Sequence, residues 1–479
     1  MSGTATALAR DLTQIVGEGA VVDRDESRRT HVGDMSWLSI AAAAAGRPLS
    51  RPDAIVSPNT TLEVAAVVRY AAARGIPVTP FGGGSGVQGA ANADRGGIVL
   101  SLLRLNRVRV VDALSGIADV EAGVKIAPLE ALLNKQGLMF THYPASREWA
   151  TVGGSIAARG SGVLSTKYGK IEDHVLGLEV VLGDGSLLTT PSVPRHGMGP
   201  DLTTLFSGSE GTLGIVVSAR IKIRAIPNSR IFGCFLFDEL TTGVEAGRRI
   251  MTSGLRPPVM RLYDRHSAVH GLERAVEAGI DRPAMVLMFD GDHAGVVREE
   301  ADAAFMICRA LGARDIGAAP AERWWEKRYV FYYPPFAPEL PSIWCTMDVV
   351  GDFSIANRMY DGVTSAIRGA VGAKWNLGLN THYSHWYEWG TMIYPRFKIP
   401  IGPTRYDEAL GLHDAVVDAA AKAALACGAV LNDHHGVGMR LGRYMATQFG
   451  DTGMGALTGI KRALDPHGVL CPGKLGLSV

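Results

Sequence analysis

The chain has 479 residues, 47% of them hydrophobic and 20% charged, with 48 basic residues set against 47 acidic ones for a formal net charge of +1. That length exceeds one ordinary hydrophobic core, so two globular domains are expected, and the balanced charge leaves no electrostatic footprint for nucleic acid or an anionic membrane. The five cysteines (Cys234, Cys308, Cys345, Cys427, Cys471) are scattered without C-x-x-C spacing, which speaks against a thiolate metal frame and suits reduced thiols in the cytoplasm. No basic-then-apolar leader opens the chain, the alanine run 41–45 is far too short for a membrane span, and Leu477-Ser478-Val479 is not a peroxisomal address.

In chain order, residues 55–80 read as strand, helix, strand. Val56 precedes a capping box, Thr60-x-x-Glu63, an alanine-rich helix over 62–74, a Gly75 stop and the short apolar run Ile76-Pro77-Val78-Thr79. A second strand at 98–102 and a helix over 126–136 follow. Residues 178–182 and 187–189 flank Asp184-Gly185, a hairpin signal, and 214–226 is a long β-branched strand pattern ending at Pro227. Beyond Pro227 the composition shifts to long helical patterns at 241–252, 294–311, 355–371 and 406–427, alternating with short strands such as 284–288. Aromatic residues concentrate there: Trp324-Trp325, the run 329–333, Trp375, Tyr383, Trp386-Tyr387 and Trp389. Such stripes usually fill a core, but interleaved with histidines they could also wall a pocket for a substrate with an apolar or aromatic body.

Glycine makes up 58 of the 479 residues, well above the usual ~7%, and its distribution carries the chemistry. Pro80-Phe81-Gly82-Gly83-Gly84-Ser85-Gly86 closes the strand at 76–79 with four glycines in five positions. Without Cβ atoms the backbone can turn successive N–H groups toward one point, a nest suited to a pyrophosphate. Three further segments match it. The stretch from Pro144 through Ala145, Ser146, Arg147, Glu148, Trp149, Ala150, Thr151, Val152, Gly153, Gly154, Ser155, Ile156, Ala157, Ala158, Arg159, Gly160 and Ser161 to Gly162 is rich in hydroxyls, small residues and glycines. Gly208-Ser209-Glu210-Gly211-Thr212-Leu213-Gly214-Ile215-Val216 is a turn running into a strand, and Asp465-Pro466-His467-Gly468-Val469-Leu470-Cys471-Pro472-Gly473-Lys474 lies near the C-terminus.

With the intervening Gly177-Leu178-Glu179-Val180-Val181-Leu182-Gly183-Asp184-Gly185, this order resembles the flavoproteins of the vanillyl-alcohol oxidase and p-cresol methylhydroxylase (PCMH) type, which include glycolate oxidase and D-lactate dehydrogenase subunits and alkyldihydroxyacetonephosphate synthase. The resemblance is strong over 48–227 and looser over 255–475. It implies an α+β fold: a PCMH-type FAD-binding domain of two α+β subdomains (1–228, core 48–227), an α+β cap domain over the flavin (229–440), and a C-terminal segment (441–479) returning to the FAD domain. It implies FAD as cofactor, with Pro80, Phe81, Gly82, Gly83, Gly84, Ser85 and Gly86 at the pyrophosphate. Ala145, Ser146, Thr151, Gly153, Gly154, Ala158, Arg159 and Ser161 would line the flavin and ribityl chain, and Glu210, Gly211, Ile215 and Val216 would complete the site. The 80–86 loop has no histidine for a covalent flavin bond, although a cap histidine could supply one.

The substrate side departs from the hydroxy-acid branch, whose GHxGDGNxH and GEHGxG signatures here read Thr381-His382-Tyr383-Ser384-His385-Trp386-Tyr387-Glu388-Trp389-Gly390 and Asn432-Asp433-His434-His435-Gly436-Val437-Gly438. His382, His385, His434 and His435 offer imidazoles, but their spacing fits no closed metal site, so no metal is expected. Tyr387 before an acidic residue and the His434-His435 pair before GVG resemble the synthase branch, with Asp433 where a third histidine often stands. Arg261 matches a family segment whose arginine faces the active site. The arginine that would clamp a substrate phosphate after the aromatic run is missing, because the run continues Pro334-Pro335-Phe336-Ala337-Pro338.

Together these features lead to an FAD-dependent oxidase or dehydrogenase acting on the CH–OH group of a small or aromatic alcohol or 2-hydroxy acid. Hydride would pass to flavin N5 and electrons on to O2 or a carrier. A transferase like alkyldihydroxyacetonephosphate synthase, working through a flavin adduct, is the alternative. His434 or His435 would be the base and Tyr387 would position the hydroxyl or share the proton. On a strand the two histidines would face opposite sides. Arg261 would hold a carboxylate or stabilise reduced flavin, or else form an ion pair with Asp264. His142 and His174 are read as structural. Assembly as a homodimer stays open.

Overall fold

The computed structural model describes residues 6–23, 33–193, 196–329 and 339–477. Two compact units emerge. The first combines 1–160, 170–225 and 434–479, and the second 161–169 with 226–433.

The first unit holds two principal sheets. In one, Ala54–Val56, Ile98–Ser101 and Val78–Phe81 run parallel in that spatial order, with Val21–Asp23 antiparallel on the edge. The connection from Ala54–Val56 to Val78–Phe81 is the helix Thr61–Ala72. Thr60 accepts from the Glu63 N–H, while the Glu63 carboxylate takes the N–H of Asn59, one residue before its capping-box partner. Val64, Val67 and Val68 of this helix are fully buried, each worth about 1.5–3 kcal/mol in removed apolar surface. The other sheet is antiparallel, in the order Val108–Asp112, Ile117–Glu121, Ile215–Lys222, Val175–Val181, Leu187–Thr189. The expected hairpin at Asp184-Gly185 forms, with Asp184 accepting from the N–H and hydroxyl of Ser186. One continuous core joins the two sheets, and Val469 and Leu470 from the end of the chain are part of it.

The second unit is built on an antiparallel sheet in the order Arg314–Asp315, Ser229–Leu236, Ala284–Gly291, Val259–Tyr263, Gly378–Tyr383, Gly390–Ile399, Ile343–Thr346, with Val349–Asp352 also pairing to Gly390–Ile399. Its helices Leu240–Thr252, Ala294–Ala310, Ala356–Val371 and Tyr406–Ala426 lie within two residues of the periodic patterns. Two stretches of this unit bury polar side chains: Ser384 and His385 in the 384–389 connection between neighbouring strands, and Asp433 beside Asp348. Segment 161–169 is fastened to the same unit by Lys167 and Tyr168, both hydrogen-bonded to Asp290. Among the described residues, no helix is long and apolar enough to cross a membrane.

Candidate functional site

In the first unit the glycine loop is pressed onto the 149–154 turn. A Cβ on Gly83 would stand 1.7 Å from the Trp149 carbonyl oxygen, so that position admits no side chain without moving backbone, and one on Gly82 would stand 2.6 Å from Thr151 Oγ1 and displace that hydroxyl. Gly84 takes φ +63°, which turns the loop back on itself. Among the described residues, the backbone N–H groups of Gly82, Gly83, Gly84, Ser85 and Gly86 donate no hydrogen bond. Five consecutive donors, from the buried Gly84 to the exposed Gly86, with no acceptor among the described residues fit an anionic, oxygen-rich group such as a pyrophosphate.

The other loops of this unit converge on the same strand end. Gly211 (φ +78°) lies so close to Pro80 that a Cβ would meet its ring at 2.6 Å, and Cys471 Sγ would be 3.2 Å away. Thr151 caps the helix Val152–Ala158 by accepting from Gly154 N–H. Ala145 and Ser146 belong to a tight turn whose Ser146 carbonyl takes the N–H groups of Trp149 and Ala150. Arg159, at φ +55°, sends its guanidinium to Glu172 at 2.8 Å. Ile215 and Val216 direct their side chains into the core, where they are 1% and 6% exposed. Ser161 falls in the second unit.

Glu210 is fully enclosed, and its carboxylate accepts from the N–H groups of Val437 and Gly438. Burial pushes its pKa up to about 7, against the opposing pull of those Gly438 and Val437 donors. Gly436 (φ +82°) packs against the same carboxylate, where a Cβ would overlap Oε1 at 2.1 Å. Glu210 therefore anchors the turn that follows the paired histidines. His434 and His435 lie in bends, not on a strand, and their ring centroids are 4.1 Å apart. The opposite-face expectation fails for that reason: strand alternation does not govern a bent backbone, and the two imidazoles lie side by side.

The Asp465–Lys474 stretch is occupied by the unit's own structure. Asp465 accepts from Lys461 Nζ and from the N–H groups of Val469 and Leu470, and Lys474 pairs with Asp94. His142 and His174 are buried. His174 Nδ1 donates to the Lys170 carbonyl at 2.7 Å while Nε2 meets Thr141 Oγ1 at 2.6 Å, and burial pulls its basicity down to about 4.

The second unit gathers the remaining candidates. Tyr387 Oη donates to Asp433 Oδ1 at 2.5 Å, and its ring stacks on Trp389 at 4.9 Å with 6° between planes. The other oxygen of Asp433 lies 3.3 Å from His385 Nδ1 and 3.5 Å from Ser161 Oγ, and the Asp433 N–H donates to Asp348 Oδ2 at 2.9 Å. Arg261, 7% exposed in the middle of Val259–Tyr263, has Nη1 3.4 Å from His382 Nε2 and its guanidinium 5.4 Å over Trp324. The Trp324 indole N–H donates to Tyr263, whose ring, like that of Tyr394, flanks His382. Asp264 is engaged by the Ser267 N–H and by Tyr360, not by Arg261. The sequence offers His385 only as one of four imidazoles and Asp433 only as the replacement for a third histidine, and nothing in it marks Asp348. The available signal was the Asp433-His434-His435 run, which puts a carboxylate directly before two imidazoles. The proline-rich stretch 334–338 lies outside the described residues.

A model of the FAD binding domain matches residues 52–191, and one of the C-terminal domain of FAD linked oxidases matches residues 226–475, more than half of the chain. The protein belongs to the FAD-linked oxidase family, with an FAD-binding domain of the PCMH type, and it is an FAD-dependent oxidoreductase. It is similar to the alkyldihydroxyacetonephosphate synthase of Trypanosoma brucei brucei, at 27% identity over 494 residues, covering 97% of this chain and 80% of that protein. It is similar also to a glycolate oxidase subunit of Bacillus subtilis, at 26% identity over 432 residues and 89% of each chain. A solved structure of p-cresol methylhydroxylase with substrate bound shares the fold at a TM-score of 0.78 and 18% identity, covering 99% of this chain and 98% of that one.

Proposed function

We propose that the enzyme oxidises the CH–OH group of a 2-hydroxy acid, or of a related alcohol, carrying an apolar or aromatic body, and passes the electrons to O2 or a carrier. Arg261 is the observation that carries this reading. A buried guanidinium beside His382 and over the Trp324 ring suits a carboxylate attached to an apolar group, because its fork matches the two carboxylate oxygens and its aromatic surroundings exclude water.

Bound FAD supplies the acceptor for the hydride. The residues of this chain do the remaining work. The 82–86 backbone binds the pyrophosphate, and Arg261 orients the acid. A phenol or an imidazole, Tyr387 or one of His434 and His435, takes the hydroxyl proton.

A second reading, a transferase resembling alkyldihydroxyacetonephosphate synthase, is favoured by the similarity to the trypanosomal enzyme over 97% of the chain. The sequence 332–338 offers no guanidinium for a phosphate there. Anaerobic mixing with a panel of 2-hydroxy acids and benzylic alcohols separates the two. Bleaching of the flavin by a hydroxy acid is expected. No bleaching by any member, together with a spectral change on an acylated ketone phosphate, would replace this reading with the transferase.

A further inference from the structure

Gln88, two residues past the glycine loop, is 1% exposed, and among the described residues neither its amide oxygen nor its amide nitrogen has a hydrogen-bond partner. Its backbone, by contrast, is held from several sides. The Gln88 carbonyl accepts the N–H groups of Met439 and Arg440 at 3.0 and 3.2 Å, and Gly438 lies so close that a Cβ there would stand 2.1 Å from that oxygen. Before it in the chain, the Gly86 carbonyl takes the Met35 N–H at 2.8 Å. After it, the Gly89 N–H donates to Asp34, a fully buried carboxylate that also takes the hydroxyls of Ser36 and Ser39. Bracing at Gly86, Gln88 and Gly89 keeps the amide with the loop, inside the unit. Asn92, four residues on, differs: its amide nitrogen donates to Ser39 Oγ at 2.8 Å and so belongs to the brace.

Buried polar groups in folded proteins are almost always hydrogen-bonded, so an amide left wholly unspent calls for a partner from outside the chain. We propose that Gln88 is a cofactor contact whose amide hydrogen-bonds a hydroxyl of FAD next to the pyrophosphate. The proposal rests on the reading that the 82–86 backbone holds the pyrophosphate. Two residues span at most about 7 Å, so Gln88 stands beside what the Gly86 end of that loop binds. Phosphate oxygens can only accept, and they would leave the Gln88 amide oxygen unspent. A hydroxyl both donates and accepts, so hydroxyls satisfy the NH2 and the C=O together. FAD carries hydroxyls on both flanks of its pyrophosphate, on the ribityl chain and on the ribose of the adenosine. The pyrimidine edge of the flavin also sets donors beside acceptors, but it lies beyond the whole ribityl chain.

Gln88→Met is the informative variant, because it keeps the length of the side chain and removes the amide. Its two expected effects have opposite signs. The flavin-free protein should melt about 1–4 °C higher than wild type, since an unspent buried amide is exchanged for an apolar group of similar size. The dissociation constant for FAD, read from flavin fluorescence as the holoenzyme is diluted, should rise about 10- to 100-fold. Gln88→Glu keeps two oxygens but brings a negative charge toward the pyrophosphate, and should weaken FAD at least as much. Competition by ADP locates the hydroxyl. ADP binding weakened in step with FAD by Gln88→Met assigns it to the ribose, and ADP binding left unchanged assigns it to the ribityl chain. Unaltered FAD affinity in Gln88→Met would overturn the proposal. So would a flavin-free variant that melts below wild type, because the amide would then be bonded within the protein or to its water. Full FAD affinity in Gly83→Ala would remove the pyrophosphate reading itself, an outcome separate from either result at Gln88.

Discussion

Lys461 and Asp465 stand one helical turn apart, at the end of the helix Met445–Leu464, and form an ion pair in which both side chains are buried. Lys461 Nζ also donates to the carbonyls of Thr212 and Leu470, so its three protons are all used. Removing one partner of such a pair strands the other charge away from water. Lys461→Met should therefore lower the stability of the protein by about 3–5 kcal/mol, measured by urea denaturation. A loss below about 1 kcal/mol would show that Asp465 finds other compensation.

Gly83→Ala tests the cradle. The added methyl cannot coexist with the Trp149 carbonyl, and the 80–86 loop must move off the 149–151 turn. The variant should purify with little or no flavin, as read from its visible absorbance per polypeptide. Gly411→Ala, on an open face of the helix Tyr406–Ala426, is the control. It should keep its flavin and gain about 0.5–1 kcal/mol from helix propensity.

The buried Glu210 gives a pH dependence of defined sign. Its folded value of about 7 lies above the ordinary 4.5, so the folded state holds a proton that the unfolded chain has released. That contribution is complete below pH 4.5 and is lost as pH rises through 7, amounting to about 3 kcal/mol. Glu210→Gln keeps an oxygen for Val437 and Gly438 but cannot ionise. The stability difference between variant and wild type should therefore grow in favour of the variant between pH 5 and 8. A difference that stays flat over this range would place the titration elsewhere.

Arg261→Gln should raise KM for a 2-hydroxy acid by 10- to 100-fold, the equivalent of about 1.5–3 kcal/mol for a lost charge-assisted hydrogen bond. Turnover at saturation should change little, and alcohols without a carboxylate should be unaffected. Equal losses for acids and alcohols would mean that Arg261 serves the flavin or the fold instead.

With no histidine in the 80–86 loop, the flavin should be released when the protein is denatured in acid. Yellow colour in the filtrate is the expected result, and colour retained on the polypeptide would identify a tether from another histidine.

Much of the fold was legible because periodicity and stop signals agree with burial. The helix Tyr406–Ala426, the hairpin at Asp184-Gly185 and the strand from Ile215 all lie where apolar spacing put them. The glycine loop was legible for a different reason: close backbone approach leaves a compositional mark. What sequence could not show is how side chains are spent. The family resemblance puts Ile215 and Val216 beside the flavin, whereas both side chains, which alternate to opposite faces of their strand, are buried in the core. Asp465 reads as part of a ligand loop and is consumed by Lys461 and two backbone N–H groups. The Tyr387–Asp433 bond joins residues 46 positions apart, and its existence depends on two loops packing together, which no local pattern records.

The backbone of Val78 exchanges hydrogen bonds with residues near the opposite end of the chain: its N–H donates to the Val469 carbonyl, and its carbonyl accepts from the Cys471 N–H. The parallel strand that leads into the glycine loop is thus completed by residues synthesised about 390 positions later. During translation the residues up to 433 leave the ribosome first, so the second unit can assemble while the first still lacks the bridge to Leu470 and its Lys461–Asp465 clamp. A nascent chain halted after residue 433 should resist protease across 226–329 and 339–433 and be cut readily near 80–86.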